Sequence, residues 1–170
     1  ATISSIGSGG TTFSGTINAT SSGVQSLTIT TTTDNFTIAG VIGGTTRPST
    51  VDISAIGTGR TLSIEQDISS IGDQTFTATA GITVSGDRTF TSSTLDGNTL
   101  STINTASAVA GDGDDSITFT GNADIDGAIT SLTTLSVSGT SDLGNNITTS
   151  STQTYTGAVT LSGGDRTLQG

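Results

Sequence analysis

Seven residues, Gly111-Asp112-Gly113-Asp114-Asp115-Ser116-Ile117, gather the chain's closest run of metal-capable oxygens. Calcium takes roughly six to eight hard oxygens, and a Gly-Asp turn offers carboxylates beside accessible backbone carbonyls. Asp112, Asp114 and Asp115 are therefore the candidate metal ligands, and calcium is the one cofactor the residues suggest. Asp124 and Asp126 share one face of the next expected strand and could add oxygens. The same residues also read as an acidic turn that holds no ion.

Catalysis finds little to build on. The sequence has no His, Cys or Lys, so the commonest bases and nucleophiles are absent. Paired carboxylates can cleave glycosides, but a sugar needs an aromatic or basic platform. Here there are five Phe, one Tyr and no Trp, mostly at positions expected to face inward. No catalytic residue is assigned, and the chain is expected not to be an enzyme. Arg60, Arg88 and Arg166 each precede Thr-Leu or Thr-Phe. They read as turn residues lying over a neighbour and pairing with Asp, with a ligand-binding row as the rival. Rows of Thr-x-Thr (Thr28, Thr30 and Thr32; Thr75, Thr77 and Thr79) resemble the flat faces of ice-binding solenoids, a function that requires the rows in register on consecutive coils. Asn18, Asn35 and Asn146 head Asn-x-Thr sequons, which a Thr-rich chain produces by chance.

What must position these residues is strand. From Gln74 to Ser85 apolar and hydroxyl side chains alternate: Phe76, Ala78, Ala80, Ile82 and Val84 against Thr75, Thr77, Thr79, Thr83 and Ser85. A period of two marks a half-buried strand, and turns at Ile71-Gly72-Asp73 and Gly86-Asp87 bound it. The phrase returns 78–79 residues later: Gln74-Thr75-Phe76-Thr77 as Gln153-Thr154-Tyr155-Thr156, and Gly86-Asp87-Arg88-Thr89 as Gly164-Asp165-Arg166-Thr167. A pentad starts at Ile3, Ile53 and Ile68, and Leu62, Phe76 and Phe90 recur every 14 residues after Gly/Asp turns. Equal spacing of large apolar residues is what stacked coils require. The inward set is expected to include Phe13, Ile17, Leu27, Ile29, Phe36, Ile38, Ile71, Phe76, Ile82, Val84, Phe90, Phe119, Val137, Tyr155, Val159 and Leu161. Pro48, the one proline, marks a loop or a sheet edge. Residues 91–115 carry no clear pattern, and their β-branched content argues against helix.

Composition sets the outer limits. Only 11% of the 170 residues are charged, against roughly 25% in ordinary domains. The net charge of −10 argues against nucleic acid or an anionic membrane as partner. No apolar run approaches the ~20 residues of a membrane span. Without Cys there is no disulfide framework. Residues 1–170 are expected to form a single repetitive all-β domain, a segment of a longer chain or a filament subunit.

Residues 131–170 join a Leu-x-Val-x-Gly strand (Leu135 to Gly139), a Thr148-Thr149 turn and the phrase Gln153-Thr154-Tyr155-Thr156-Gly157-Ala158-Val159-Thr160-Leu161. This stretch resembles the repeat of large filamentous-haemagglutinin-like bacterial exoproteins, with a fair likeness also over 51–90. The 111–117 turn resembles one copy of the calcium-binding nonapeptide of repeats-in-toxin proteins, although Ala110 stands where that pattern begins with Gly. The first resemblance implies a right-handed parallel β-helix, an extracellular place on the bacterial cell surface, and an adhesive or scaffolding role.

The reading is thus an all-β solenoid of irregular coils, with an antiparallel β-sandwich array as rival, since sandwich repeats run to roughly 80 to 100 residues. The expected function is a non-enzymatic structural or adhesive building block of an adhesin, surface layer or filament, self-associating end to end. The alternative is a calcium- or glycan-binding module that takes a cell-surface glycan.

Overall fold

The computed structural model describes residues 2–4, 9–92 and 102–170. Short alternating stretches become strands of two to five residues, and each of them is paired in parallel with strands from the coils before or after it. The first sheet stacks β1 (Thr2–Ser4), β3 (Leu27–Thr31), β5 (Val51–Ala55), β8 (Gln74–Ala78), β11 (Thr102–Thr105), β14 (Asn122–Ile125), β17 (Ser141–Leu143) and β20 (Val159–Leu161). The second stacks β2 (Thr11–Phe13), β4 (Phe36–Ile38), β6 (Leu62–Ile64), β9 (Ile82–Val84), β12 (Val109–Ala110), β15 (Ile129–Leu132), β18 (Ile147–Thr149) and β21 (Leu168–Gln169). The third stacks β7 (Ile68–Ser70), β10 (Arg88–Ser92), β13 (Ser116–Thr120), β16 (Thr134–Val137) and β19 (Gln153–Tyr155). Parallel bridges from Ile17 to Ile42 and from Ile42 to Ile68 continue the third side through the early coils.

The chain visits the three sides in a fixed order, giving a β-solenoid of about seven turns. Parallel ladders replace the antiparallel pairs a sandwich needs, so the sandwich reading is overturned. Among the described residues no helix is long and apolar enough to cross a membrane.

Alternation fixes which side chains enter the core. β3, β5 and β8 bury every second residue, so Leu27, Ile29, Thr31, Val51, Ile53, Phe76 and Ala78 stack inside while Thr28, Thr30, Asp52, Ser54, Thr75 and Thr77 face out. Phe90 bridges two coils, its ring centroid 5.3 Å from that of Phe76 and 5.5 Å from that of Phe119. The apolar pile then runs without a break to Ile147.

Two sequence expectations change. The alternation from Gln74 to Ser85 is two strands on different sheets, β8 and β9, with a corner at Thr79–Gly81 that leaves Ala80 exposed. The 14-residue spacing is not a coil: Leu62, Phe76 and Phe90 lie on the second, first and third sheets. Each step of 14 advances two sides out of three, so the residues directly above one another are further apart in sequence. Leu27 stacks on Val51, Gln74 on Ile103 and Ala123 on Ser141, separations of 24, 29 and 18 residues, so coil length varies with the corner loops.

The expected inward set is otherwise buried, with Phe13, Ile17 and Tyr155 partly buried against the core and Ile71 half-buried in its turn. Val159 and Leu161 are exceptions of a particular kind. They align with Ser141 and Leu143, which are 2% and 0% exposed, yet they are themselves 41% and 53% exposed. Their phase is inward, but no later described coil lies over them. Pro48 lies in the loop before β5, where its carbonyl accepts from the amide of Ile71. Residues 5–7 of the first pentad and residues 93–101 lie outside the described residues.

Candidate functional site

The acidic turn joins β12 to β13 at a corner of the solenoid. Asp112 and Asp114 are exposed and Asp115 is buried, and one carboxylate oxygen of each lies within 4.8 Å of the others. The sequence-chosen trio is therefore brought together. Asp115, however, is already engaged. Its Oδ1 accepts from the Gly86 amide of the previous coil at 2.5 Å, and its Oδ2 from the Asp112 amide at 2.9 Å. The next coil grips the turn from the other side: Thr133 Oγ1 donates to the Gly113 carbonyl at 3.0 Å, and the Thr133 amide to the Asp115 carbonyl at 2.7 Å. Gly111 permits this stacking, because a Cβ there would stand 2.7 Å from the Ser131 carbonyl oxygen. Ser131, at φ 59°, lies where the β15–β18 register shifts. The turn is thus first a coil-to-coil clamp, and a cation would share Asp115 with two amides.

Asp124 and Asp126 do not join this turn. Asp124 faces outward from the first sheet, in register with Asn104 of the coil before and Asp142 of the coil after. Asn104 Nδ2 donates to Asp124 Oδ2 at 3.1 Å. The Oδ1 atoms of Asn104 and Asp142 are buried without a hydrogen-bond partner among the described residues. Partial burial, and then the charges of Asp126 and Asp142, push the Asp124 carboxyl above the ordinary carboxylate range. Beside the pair runs an open groove of about 230 Å³ walled by Asn122, Asp124, Thr140 and Asp142. The sequence did not reveal this column, because its members become neighbours only once the coil lengths of 20 and 18 residues are known.

The third sheet presents a different surface. Its outward residues include Thr89 and Thr91 on β10, Thr118 and Thr120 on β13, Ser136 on β16 and Thr154 on β19. The ladders pair Thr89 with Thr118, Thr91 with Thr120, Thr118 with Ser136, and Ser136 with Thr154. Hydroxyls thus repeat in register over consecutive coils, about 4.8 Å apart along the axis. Of the two Thr-x-Thr rows singled out in the sequence, Thr28, Thr30, Thr75 and Thr77 face outward from the first sheet, while Thr32 and Thr79 lie past the ends of β3 and β8; Thr28 and Thr75 flank Asp52, so that column turns acidic, whereas Thr30 and Thr77 align through Ser54.

Arg60, Arg88 and Arg166 form no row. Arg60 and Arg166 sit at the corner between the first and second sheets, several coils apart, and Arg88 opens a strand of the third. Arg88 Nε donates to the Ser85 carbonyl of its own turn at 2.7 Å, and its guanidinium lies 3.8 Å from Asp67. Arg166 likewise folds back on the Ser162 carbonyl. The sequon asparagines also have corner work. Asn18, Asn35 and Asn146 each accept, through Oδ1, from an amide of the following coil: Thr45, Thr61 and Thr167 at 3.1, 3.1 and 2.9 Å. Asp67 and Asp73 do the same for Thr89 and Thr102. Where the chain turns and ladder carbonyls are lost, an Asn or Asp oxygen takes their place, which satisfies an otherwise orphaned amide.

Comparison with protein-family models, curated proteins and solved structures gave no match.

Proposed function

We propose that this chain is a non-enzymatic structural segment of an extracellular, cell-surface solenoid, serving as a spacer that displays adhesive faces. One observation carries the reading: three parallel ladders run the length of the molecule around one apolar pile, while Thr, Ser and Asp occupy the outside. Such a stack transmits load along its axis through backbone ladders, and its length scales with coil number. Its sides offer hydroxyl and carboxylate arrays suited to many weak contacts rather than one deep pocket. The resemblance of residues 131–170 to haemagglutinin-like repeats supports the surface location. Tandem fusions of the chain, imaged by negative-stain electron microscopy, test the reading. Straight rods that lengthen by a fixed increment per copy are expected, and beads on flexible linkers would overturn it.

A second reading is favoured by the third sheet, where the register that ice binding requires is met by the columns through Thr89, Thr118, Ser136 and Thr154 and through Thr91 and Thr120. On this reading the hydroxyl lattice orders water against a growing ice face. Ice crystals grown with the chain should then be shaped and arrested, and Thr118→Lys should abolish the effect. Unaltered ice growth with the parent chain rejects this reading and leaves the structural one untouched.

A further inference from the structure

Charge is spread unevenly over the three sheets, and the strands of the second sheet carry none. Its outward column runs in register through Thr12, Thr37, Ser63 and Thr83 to Ala110 and Thr130. Asp52, Asp124 and Asp142 by contrast face out from the first sheet, and Arg88 opens a strand of the third. The two margins of the neutral face are unlike. The margin leading to the third sheet is acidic, with Glu65 and Asp67 after β6, Asp87 after β9, and Asp112 and Asp114 after β12. The margin coming from the first sheet holds Arg60, whose Nε is buried without a hydrogen-bond partner and whose charge reaches Asp34. Among the described residues the salt bridge is that of Arg88 with Asp67, which leaves Arg60 and Glu65 without one. Beside Arg60 this margin is hollow. An open groove of about 520 Å³ is walled by Thr79, Ala80 and Gly81 of one coil and Ala106, Ser107 and Ala108 of the next, and the Ala80 amide donates to the Arg60 carbonyl. Exposed Ile56 lies at the same corner. Across β12 from the groove stands the exposed Asp112-Gly113-Asp114 tip, where a Cβ on Gly113 would meet nothing within 4 Å.

We propose that the second sheet is a lateral interface on which two copies pair side by side and parallel, each placing its acidic turn in the other's groove and its Glu65 against the other's Arg60. This goes beyond the structural reading, since it doubles the rod through its flank. A two-fold axis parallel to the solenoid keeps every coil at its own height and exchanges the margins, so tip meets hollow and acid meets cation. Arg60 and Glu65 flank the same strand, β6, and the groove and the acidic turn flank β12 in the same way. An isologous contact of this kind is self-complementary and closes at the dimer. The antiparallel arrangement would instead set acidic margin against acidic margin, and like-charge contacts of that kind are costly. At β12 the outward residue is Ala110, whose small side chain lets the two faces approach. Extent fits as well. Eight strands make the face about 38 Å long, and the six residues from Arg60 to Glu65 make it roughly 20 Å wide. That area is close to the roughly 800 Å² per partner of a standard interface.

Sedimentation equilibrium of the 170-residue chain, with circular dichroism to verify folding, tests the proposal. The parent should show a monomer–dimer equilibrium. Arg60→Glu and Glu65→Arg each put like charges at both margins of the pair, and each should weaken dimerisation by roughly tenfold or more. Mixed one to one, these two variants regain opposite charges at both margins and should form heterodimers as tight as the parent. The double variant Arg60→Glu/Glu65→Arg should also dimerise like the parent. Thr83→Lys, exposed in the middle of the neutral face, should be monomeric, whereas Thr118→Lys on the third sheet should leave the dimer intact. A parent that stays monomeric at every concentration overturns the proposal, as does a failure of the mixed variants to restore pairing. Dimers that survive Thr83→Lys but are lost with Thr118→Lys place the contact on another face and overturn it too. Each of these results leaves the rods of tandem fusions, and so the structural reading, intact.

Discussion

Single side chains divide into those that fill the bore and those that fasten one coil to the next. Phe76 is sealed in the bore against Phe90, and Phe76→Ala should cost about 3–5 kcal/mol in denaturant melts. Parent-like melting would place Phe76 outside the core. Asp115 is a fastener, and its role does not depend on an ion. Asp115→Asn turns one acceptor oxygen into a donor facing the Gly86 or Asp112 amide, and should cost about 1–3 kcal/mol. The loss should be equal in chelator and in millimolar calcium; a loss confined to calcium would show that the turn is a metal site first. Two other carboxyls give opposite pH signs. The Gly9 amide above all, with Gly10 and Thr33 assisting, holds the Asp34 carboxyl below its ordinary 3.8. Its contribution is therefore complete above about pH 4 and is lost as pH falls through the lower folded value. Asp124 is shifted upward, so it favours the fold below 3.8 and opposes it as pH rises through the folded value. Asp124→Asn should stabilise the chain at neutral pH by roughly 0.2–1 kcal/mol, the scale of a cross-strand pair, with no gain near pH 3. A destabilised Asp124→Asn chain at pH 7 would mean that the carboxylate has a partner not seen here.

Elements explain both what the sequence revealed and what it hid. Period-two alternation is local, so strands and inward residues such as Ile29, Phe90 and Val137 could be read directly. Corners are local too, but which two sheets a corner joins is not. The phrase Ile68-Ser69-Ser70 to Gln74 recurs as Ile147-Thr148-Thr149 to Gln153, yet the first joins the third sheet to the first and the second joins the second sheet to the third. What repeats is the bonding of the turn. Gln74 Nε2 donates to the Ile68 carbonyl and, one coil on, to that of Thr91; Gln153 Nε2 donates to those of Ile147 and Gln169. Ser70 and Thr149 close their turns on the Gly72 and Ser151 carbonyls alike. A repeat in sequence is therefore a portable corner and not a whole coil, and for that reason neither the 14-residue nor the 79-residue spacing gave the coil length. The Asn104–Asp124–Asp142 column and the hydroxyl columns were hidden for the same cause, since long-range register depends on every intervening loop. The acidic trio was legible because its residues are sequence neighbours. Gln74 is fully buried and Gln153 is not, so Gln74→Ala should cost about 1–3 kcal/mol, and Gln153→Ala clearly less. Equal losses would show that the two corners do not share this bonding logic.

For the whole molecule, stability should vary along the axis. Each coil contacts only the coils above and below, so a middle coil is held on both sides and an end coil on one. Opening of an end coil exposes little that is not already wet: Val159, Leu161 and Leu168 are largely exposed, and every residue of β20 and β21 is solvent-accessible. Opening of β10 or β13 would uncover Phe90 and Phe119 together with their partners above and below. Native-state amide exchange should therefore be slowest in β5, β8, β10, β13 and β16 and fastest in β19–β21, where opening needs only local unfolding. Mass spectrometry of exchanged peptides can follow that order along the chain. Uniform protection along the monomer would mean that the chain opens as one cooperative block, and that the ends are held by contacts other than the ladders described.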